Sequence, residues 1–445
     1  MKILYHLFCL SFVIQKWLLK RFTPGGLAIL VCLFAAAIVG LDTKQTMAYQ
    51  IFTFLLAILI IAIAFSFYFQ IRIKAIRKLP RFATVGIKLN YSIDLINDSK
   101  HSQIGLKLIE GIATNKINLA NFRRLYQSPT AKKQVKSLTL VYSRWLKAIA
   151  YQRKAKTKVI DLPILQAKTT VRIKGEIIPT HRGIVRFASI NILRPDPFNL
   201  FNATKTIKSP QSILVLPKLY QLPSISLPSS RISQSGSTSL ASSVGDSEEF
   251  EALRDYRPGD PLRKIHWKSW AKTGNPVVKE EQSEYFVRHA LILDNFQPQS
   301  HSAILEEAIS VAASFAGNLH PHESLLDLIF VGLESFCFTS GRGLGSSEQM
   351  LEILAGVSAC QDKTVDHLSI ALEPRLSRLS SCICILIAWD EARKKLTQQL
   401  QMANIPLLIL LIAESEHQYP DLTLENLHIL PLGKIQESLM NITAN

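Results

Sequence analysis

Apolar positions along this chain follow different periods in different stretches, and the changes of period divide it. Gly25–Leu41 runs for 17 residues and Ile51–Phe69 for 19 with no charge and no polar stripe. Each is long enough to cross a hydrocarbon layer of about 30 Å, so residues 25–70 are expected to form a two-helix transmembrane hairpin. Residues 3–14 are apolar as well, but too few for an ordinary span. Segment 1–24 is therefore expected to lie at the membrane interface, anchored by Trp17 and its neighbouring lysines.

Beyond the hairpin the period shifts to loose alternation. Val85–Ile96, Ile104–Ile109, Thr170–Ile178, Ile184–Leu193 and Ser212–Leu216 read as strands. Thr180-His181-Arg182-Gly183 and Pro195-Asp196-Pro197-Phe198 supply turn signals between them. Residues 79–218 are expected to form a β-sandwich-like domain, interrupted by an insertion at 113–160. Residues 219–244 are serine-rich and read as a linker. From 286 to 445, strands apolar throughout (Ala290–Leu293, Leu325–Val331, Cys382–Ala388, Ile405–Ile412, Leu427–Leu430) alternate with helical stretches such as Ala303–Leu319 and Glu391–Met402. That alternation predicts a doubly wound, mostly parallel α/β sheet.

Charge changes the picture of the first half. The net formal charge is +17, distributed as +8 over residues 1–80, +19 over 81–220 and −10 over the remainder. The hairpin is preceded by Lys16, Lys20 and Arg21 and followed by Arg72, Lys74, Arg77, Lys78 and Arg81. Basic flanks on both sides predict that both termini and the soluble domains face the cytoplasm at an inner membrane. The insertion 113–160 holds twelve Lys and Arg and no acid, interleaved with Phe122, Tyr126, Tyr142 and Trp145. It reads as a solvated basic surface or as a membrane-surface contact, with nucleic acid the least favoured partner. The cysteines at 9, 32, 337, 360, 382 and 384 have no CxxC spacing, which fits a reducing compartment.

The densest chemistry lies in 245–285. Arg257-Pro258-Gly259-Asp260 reads as a turn, with proline fixing φ and glycine free to take a positive one. Asp260-Pro261 reads as a helix start, Leu262, Ile265, Trp267 and Trp270 follow at helical spacing, and Gly274 ends the helix. Composition alone supports nothing beyond a salt-bridged surface helix after a turn.

Phe250, Leu253-Arg254-Asp255-Tyr256, Pro258-Gly259-Asp260, Arg263, Ile265-His266-Trp267 and Thr273-Gly274 together resemble the signature of the bacterial domain of unknown function 58 family. Asp255 and Lys272 stand where that family has glutamate and arginine, both with charge kept. Arg182-Gly183 and Asp196-Pro197-Phe198-Asn199-Leu200-Phe201 resemble its sandwich motifs, with Asn199 in place of glycine. The resemblance implies a von Willebrand factor A-type sheet after the signature. In such sheets strand-end aspartates and serines hold Mg²⁺. Here Asp294-Asn295-Phe296-Gln297-Pro298 lacks both serines, so Asp294 and Asp390 are degenerate candidates only, and no metal or cofactor is expected. The two aspartates are alternatively helix caps or acceptors for backbone groups at strand ends.

The resemblance also implies a partner, a MoxR-type AAA+ ATPase, with other von Willebrand factor A proteins as further candidates. The expected function is a membrane-tethered interaction or assembly protein, not an enzyme. Arg254, Asp255, Arg257, Asp260 and Arg263 would supply paired charges, and Trp267 and Trp270 apolar anchors. Within that, Trp267 is expected to pack its helix on the sheet and Arg263 to face outward. The alternative is an enzyme or accessory factor of cell-envelope polymer metabolism. Nothing in the sequence supplies a Walker-type phosphate loop. His266 beside Asp255 or Asp260 lacks a nucleophile in motif context, and His320-Pro321-His322-Glu323 reads as a solvated loop.

Overall fold

A computed structural model of the chain describes residues 2–39, 46–69, 71–113, 138–223, 250–260, 262, 265–281, 287–318, 324–332, 334–341, 346–419 and 426–442. The chain divides into two compact units, 1–218 and 219–445.

The first unit opens with three helices, α1 (Lys2–Arg21), α2 (Pro24–Val39) and α3 (Thr46–Phe67). Thr23 starts α2: its hydroxyl accepts the Gly26 N–H at 3.1 Å, and Pro24 takes the first helical position. By length and composition α1 and Met47–Phe67 could each cross a membrane, whereas α2, which packs on α3, is shorter. Helix α1 occupies most of segment 1–24 and extends past the apolar stretch 3–14. No breaker interrupts it before Pro24, and Lys20 and Arg21 in its last turn complement the helix dipole.

The β-rich part contains two sheets. One, in spatial order, joins β1 (Ile73–Lys78), β3 (Leu89–Asn97), β7 (Thr170–Pro179) and β5 (Ala155–Thr157). The other joins β2 (Phe82–Thr84), β9 (Asn202–Leu216), β8 (Gly183–Pro195), β4 (Lys107–Ile112) and β6 (Ile160–Asp161). Their inward residues, Ile93, Leu95, Leu108, Ile190, Ile192 and Val215 among them, form one core, as the period-2 pattern requires.

Arg77 lies inside this core. Its Nε donates to Glu110 Oε1 at 3.0 Å and its Nη2 to Oε2 at 2.6 Å, while the Tyr91 hydroxyl donates to the same carboxylate at 2.9 Å. The guanidinium also sits 4.5 Å from the centre of the Phe187 ring. Arg77 is thus no membrane-flanking charge, as its place in a basic run suggested. It ties β1 and β3 of one sheet to β4 and β8 of the other. Within the basic insertion, α4 (Leu138–Arg153) is described, and 114–137 lie outside the described residues.

In the second unit, Tyr220 is buried, its N–H donating to Ser314 Oγ at 2.7 Å and its hydroxyl to Glu307 at 2.5 Å. The first residues of the presumed linker therefore pack on helix α6 (Ala303–Asn318), and 224–249 lie outside the described residues. A two-stranded ribbon joins β10 (Phe250–Asp255) to β11 (Val277–Glu281) and contains α5 (Trp267–Thr273) in its loop.

The main sheet has six strands in the order β14 (Ser335–Ser340), β13 (Ser324–Val331), β12 (Val287–Leu293), β15 (Ser381–Leu386), β16 (Leu407–Ala413) and β17 (Leu427–Pro431). All neighbours are parallel except β13 and β14. Helices α6, α7 (Ser347–Gly356), α8 (Asp366–Leu372), α9 (Glu391–Met402) and α10 (Ile435–Met440) complete it. Numbered in chain order the strands run 3-2-1-4-5-6, the doubly wound arrangement, whose switch point lies between β12 and β15.

Candidate interaction site

The signature folds as a hairpin with its own small framework. Gly259 has φ 109°, a value that a side chain would strain. Asp260 then fixes the turn: Arg254 donates to its two oxygens at 2.7 Å each, and the Arg257 N–H donates at 2.9 Å. These donors, the Arg254 side chain foremost, lower the Asp260 carboxyl from 3.8 to about 2. Asp260 thus clamps the turn; the helix start expected at Asp260-Pro261 falls partly outside the described residues, and Leu262 is in a 3₁₀ turn whose carbonyl accepts the Ile265 N–H at 3.2 Å. Helix α5 begins only at Trp267, with His266 as an N-cap whose side chain makes no capping bond. The ladder explains the delay: Ile265 bridges Val278, and the His266 N–H donates to Val277 O at 2.8 Å, so these residues still run beside β11.

Helix α5 ends at Gly274, φ 75°, as its sequence predicted. It has no buried residue, and Trp267 is 62% exposed. This overturns the expectation that Trp267 packs the helix on the sheet. Its indole stacks instead on Trp270, centroids 5.3 Å apart and planes 24° from parallel. Among the described residues of the hairpin, Ile265, Val277 and Val278 are buried. Leu262 is exposed. Tyr256, Asp255, Arg257 and Pro258 surround the turn, with the Tyr256 N–H bonded to Pro276 O at 2.9 Å. Pro261 and Arg263 lie outside the described residues, as do His320-Pro321-His322-Glu323. His266 Nδ1 shares a hydrogen bond with Ser269 Oγ at 2.6 Å, while Asp260 is taken by arginine. What the hairpin offers is a stacked aromatic pair on α5 and an Arg–Asp clamp at its turn.

A second charged cluster stands at the switch point. Asp294 leaves the carboxyl end of β12, and Asp390 precedes α9. Asp294 accepts the backbone N–H groups of Phe296 and Ile387, both at 3.1 Å. Asp390 caps α9 by accepting the Arg393 N–H at 3.0 Å. Arg393, unremarked in the sequence, joins them. Its Nε and Nη2 donate to Asp294 at 2.6 and 3.1 Å, its Nη1 to Asp390 at 2.5 Å, and Nη2 also to Phe296 O at 2.9 Å. Burial disfavours the guanidinium charge, but the two carboxylates outweigh it and raise the Arg393 pKa. Both oxygens of buried Asp294 accept from arginine and backbone donors, while half-exposed Asp390 accepts the Arg393 N–H and side chain. Among the described residues no group of three or more His, Cys, Asp or Glu is placed to hold a metal. The helical period of α9, apolar Leu396 and Leu400 on the face shared with Arg393, was the available signal for a buried arginine.

The third site is the joint between the N-terminal helices and the sandwich. Asp196 Oδ1 accepts the N–H groups of Leu200 and Phe201 at 2.6 and 3.0 Å, and Asn199 takes φ 55°, a left-handed value that asparagine tolerates nearly as glycine does. The turn pushes Leu200 and Phe201 against Phe22, Leu27, Leu30, Ile58 and Ala62. The Thr23 N–H donates to Leu200 O at 3.1 Å. A Cβ on Gly26 would lie 1.9 Å from that oxygen, so only glycine permits the approach.

No family model matches this chain. It is 24% identical over 188 residues to the uncharacterized protein YeaD of Bacillus subtilis (strain 168), a stretch covering 42% of this chain and 46% of that protein. The match thus spans just under half the length of its relative. Among solved structures, the ASH / PapD-like domain of human CEP192 (PapD-like domain 7) aligns at 11% identity and a TM-score of 0.18, over 32% of this chain and 84% of that one.

Proposed function

We propose that this chain is a membrane-tethered interaction protein that docks a protein partner through the signature hairpin. The observation carrying this reading is the stacked Trp267–Trp270 pair, with Trp267 exposed and Trp270 half-buried, in the same hairpin as the Arg254–Asp260 clamp. An exposed tryptophan stacked on a half-buried one, in a hairpin with paired charges, is the composition of binding hot spots, and the exposure of Trp267 has no packing benefit within the described hairpin. The apolar N-terminal helices supply the tether.

The resemblance to the domain of unknown function 58 family supports a MoxR-type AAA+ ATPase as that partner and a cytoplasmic location for the soluble units. It also supports reading the six-stranded sheet as a von Willebrand factor A-type domain. The basic flanks support the same sidedness with Arg77 removed from the count. Arg393, already seated between Asp294 and Asp390, supports a sheet whose switch point is closed by a side chain and takes no Mg²⁺.

The test is capture of a purified MoxR-type ATPase from the same organism by the detergent-solubilised full chain. Wild type is expected to retain it, and Trp267→Ala/Trp270→Ala to lose it with melting almost unchanged. Equal capture by the double variant would remove the hairpin from the interface.

A further inference from the structure

Helix α1 presents two apolar faces. One is covered: Phe8 and Phe12 pack with Val141, Trp145 and Ile149 of α4. The Tyr142 hydroxyl reinforces this contact, accepting from Ser11 at 2.9 Å and donating to Gln15 at 3.2 Å. The other face carries Ile3, Leu7, Leu10, Ile14 and Trp17, all exposed, at alternating spacings of four and three. At 3.6 residues per turn this stripe lies opposite Phe8 and Phe12. Val13 widens it.

Soluble elements hold α1 at both ends. Lys20 Nζ donates to Asn191 of β8 at 2.7 Å, and Arg21 reaches Asn202 of β9. Helix α4, which holds the N-terminal half, passes through the single residue Lys154 into β5, paired with β7. A bilayer-crossing α1 would therefore take α4 with it, including Arg144, Gln152 and Arg153, into a medium where unpaired charges are costly. Neither helix contains an acidic residue, and Lys2 stands next to Ile3 at the start of the exposed stripe of α1. The chain then passes through Phe22 and Thr23, both buried, into apolar α2.

We infer that α1 does not span the membrane. It lies in the surface of an anionic bilayer on the side of the sandwich, with the Ile3–Trp17 stripe in the acyl boundary and α4 covering its back. Length and hydropathy make α1 a candidate span, and its packing assigns it this other role. An amphipathic helix so placed binds through apolar burial together with attraction to anionic lipid.

The experiment uses the full chain reconstituted in phosphatidylcholine/phosphatidylglycerol vesicles, with Cys9, Cys32, Cys337 and Cys360 replaced by serine and only the buried Cys382 and Cys384 kept. A nitroxide is attached at Ile3→Cys, Leu7→Cys, Leu10→Cys or Ile14→Cys, with Phe54→Cys in α3 as the deep reference. Relative accessibility to oxygen and to a water-soluble nickel chelate reads depth. The four sites are expected at one shallow depth, clearly above Phe54, and to become more accessible to nickel in vesicles of phosphatidylcholine alone. A depth that passes through the bilayer centre along the helix would make α1 a span. Full nickel access in anionic vesicles would remove the membrane contact, and spin–spin broadening would assign the stripe to a second copy. Unchanged depth without anionic lipid would overturn the electrostatic part. Any of these four results defeats the assignment.

Discussion

Arg393 holds both oxygens of Asp294 through two donors, at 2.6 and 3.1 Å, with the arginine side chain 6% and the aspartate 1% exposed. The pair closes the switch point of the sheet from inside. Breaking a buried pair by removing one partner leaves an uncompensated charge, which costs about 3–5 kcal/mol. Arg393→Ala is therefore expected to lower unfolding stability by that amount in chemical denaturation. Mg²⁺ is expected to leave wild-type melting unchanged, since a real site would add about 2.7 kcal/mol at a hundredfold excess over its Kd. In Arg393→Ala the carboxylates are released, and Mg²⁺ should recover part of the loss. A wild-type shift abolished by Asp294→Ala would show that metal and arginine compete for one position.

The Arg77–Glu110 pair makes a related prediction in the other unit, with both side chains at most 1% exposed. Glu110→Ala strands a buried guanidinium and orphans the Tyr91 hydroxyl, so a loss of about 3–5 kcal/mol is expected. Replacing both partners by Met and Leu should cost much less and could even stabilise the sandwich. A double-mutant cycle by denaturant melting measures the difference. Equal losses in the single and double variants would mean that packing, not charge, sets the cost.

The periodic elements were legible because periodicity is local. Glu391–Met402 was read as a helix with the bounds it has, and Thr170–Ile178 and Ile184–Leu193 fall within β7 and β8. Edge strand β14 was not read: its half-buried pattern of serine, phenylalanine and cysteine is too mixed to announce a strand, and it is placed by antiparallel pairing with β13. Arg77, Arg393 and Trp267 are not legible in the sequence for one common reason. A residue's type predicts its burial only on average, and what lies across the fold decides the case. Glu110 and Asp294 draw two arginines inward from 33 and 99 residues away, while no described element of the hairpin buries Trp267.

Asp260 supplies a pH prediction. Its carboxyl falls from 3.8 to about 2 on folding, so the unfolded chain takes up the proton first as pH drops. The contribution of this clamp is complete above about pH 4 and is lost as the pH falls through about 2. Hydrogen exchange of the Arg257 amide should stay slow down to about pH 4, after correction for intrinsic rates, and accelerate below it. Asp260→Asn should remove that dependence. An Arg257 amide whose protection does not change with pH would show that the turn holds without the carboxylate.

Trp267 separates folding from docking. A core tryptophan truncated to alanine would cost about 3–5 kcal/mol, but this indole is 62% exposed and meets Trp270 in a surface stack. An aromatic pair of this kind is worth about 0.5–1.5 kcal/mol beyond area burial. Trp267→Ala should therefore lower stability by about 1 kcal/mol, within the range of ordinary surface changes, and leave the chain folded. If the stack is the anchor of an interface, the same substitution should weaken binding by about 2 kcal/mol or more, roughly thirtyfold in Kd. Trp267→Phe, which keeps a ring to stack, should recover part of the binding. Melting and partner titration on the same three preparations decide it. A melting loss of several kcal/mol with no binding defect in the folded fraction would make the stack a structural brace and move the docking surface elsewhere.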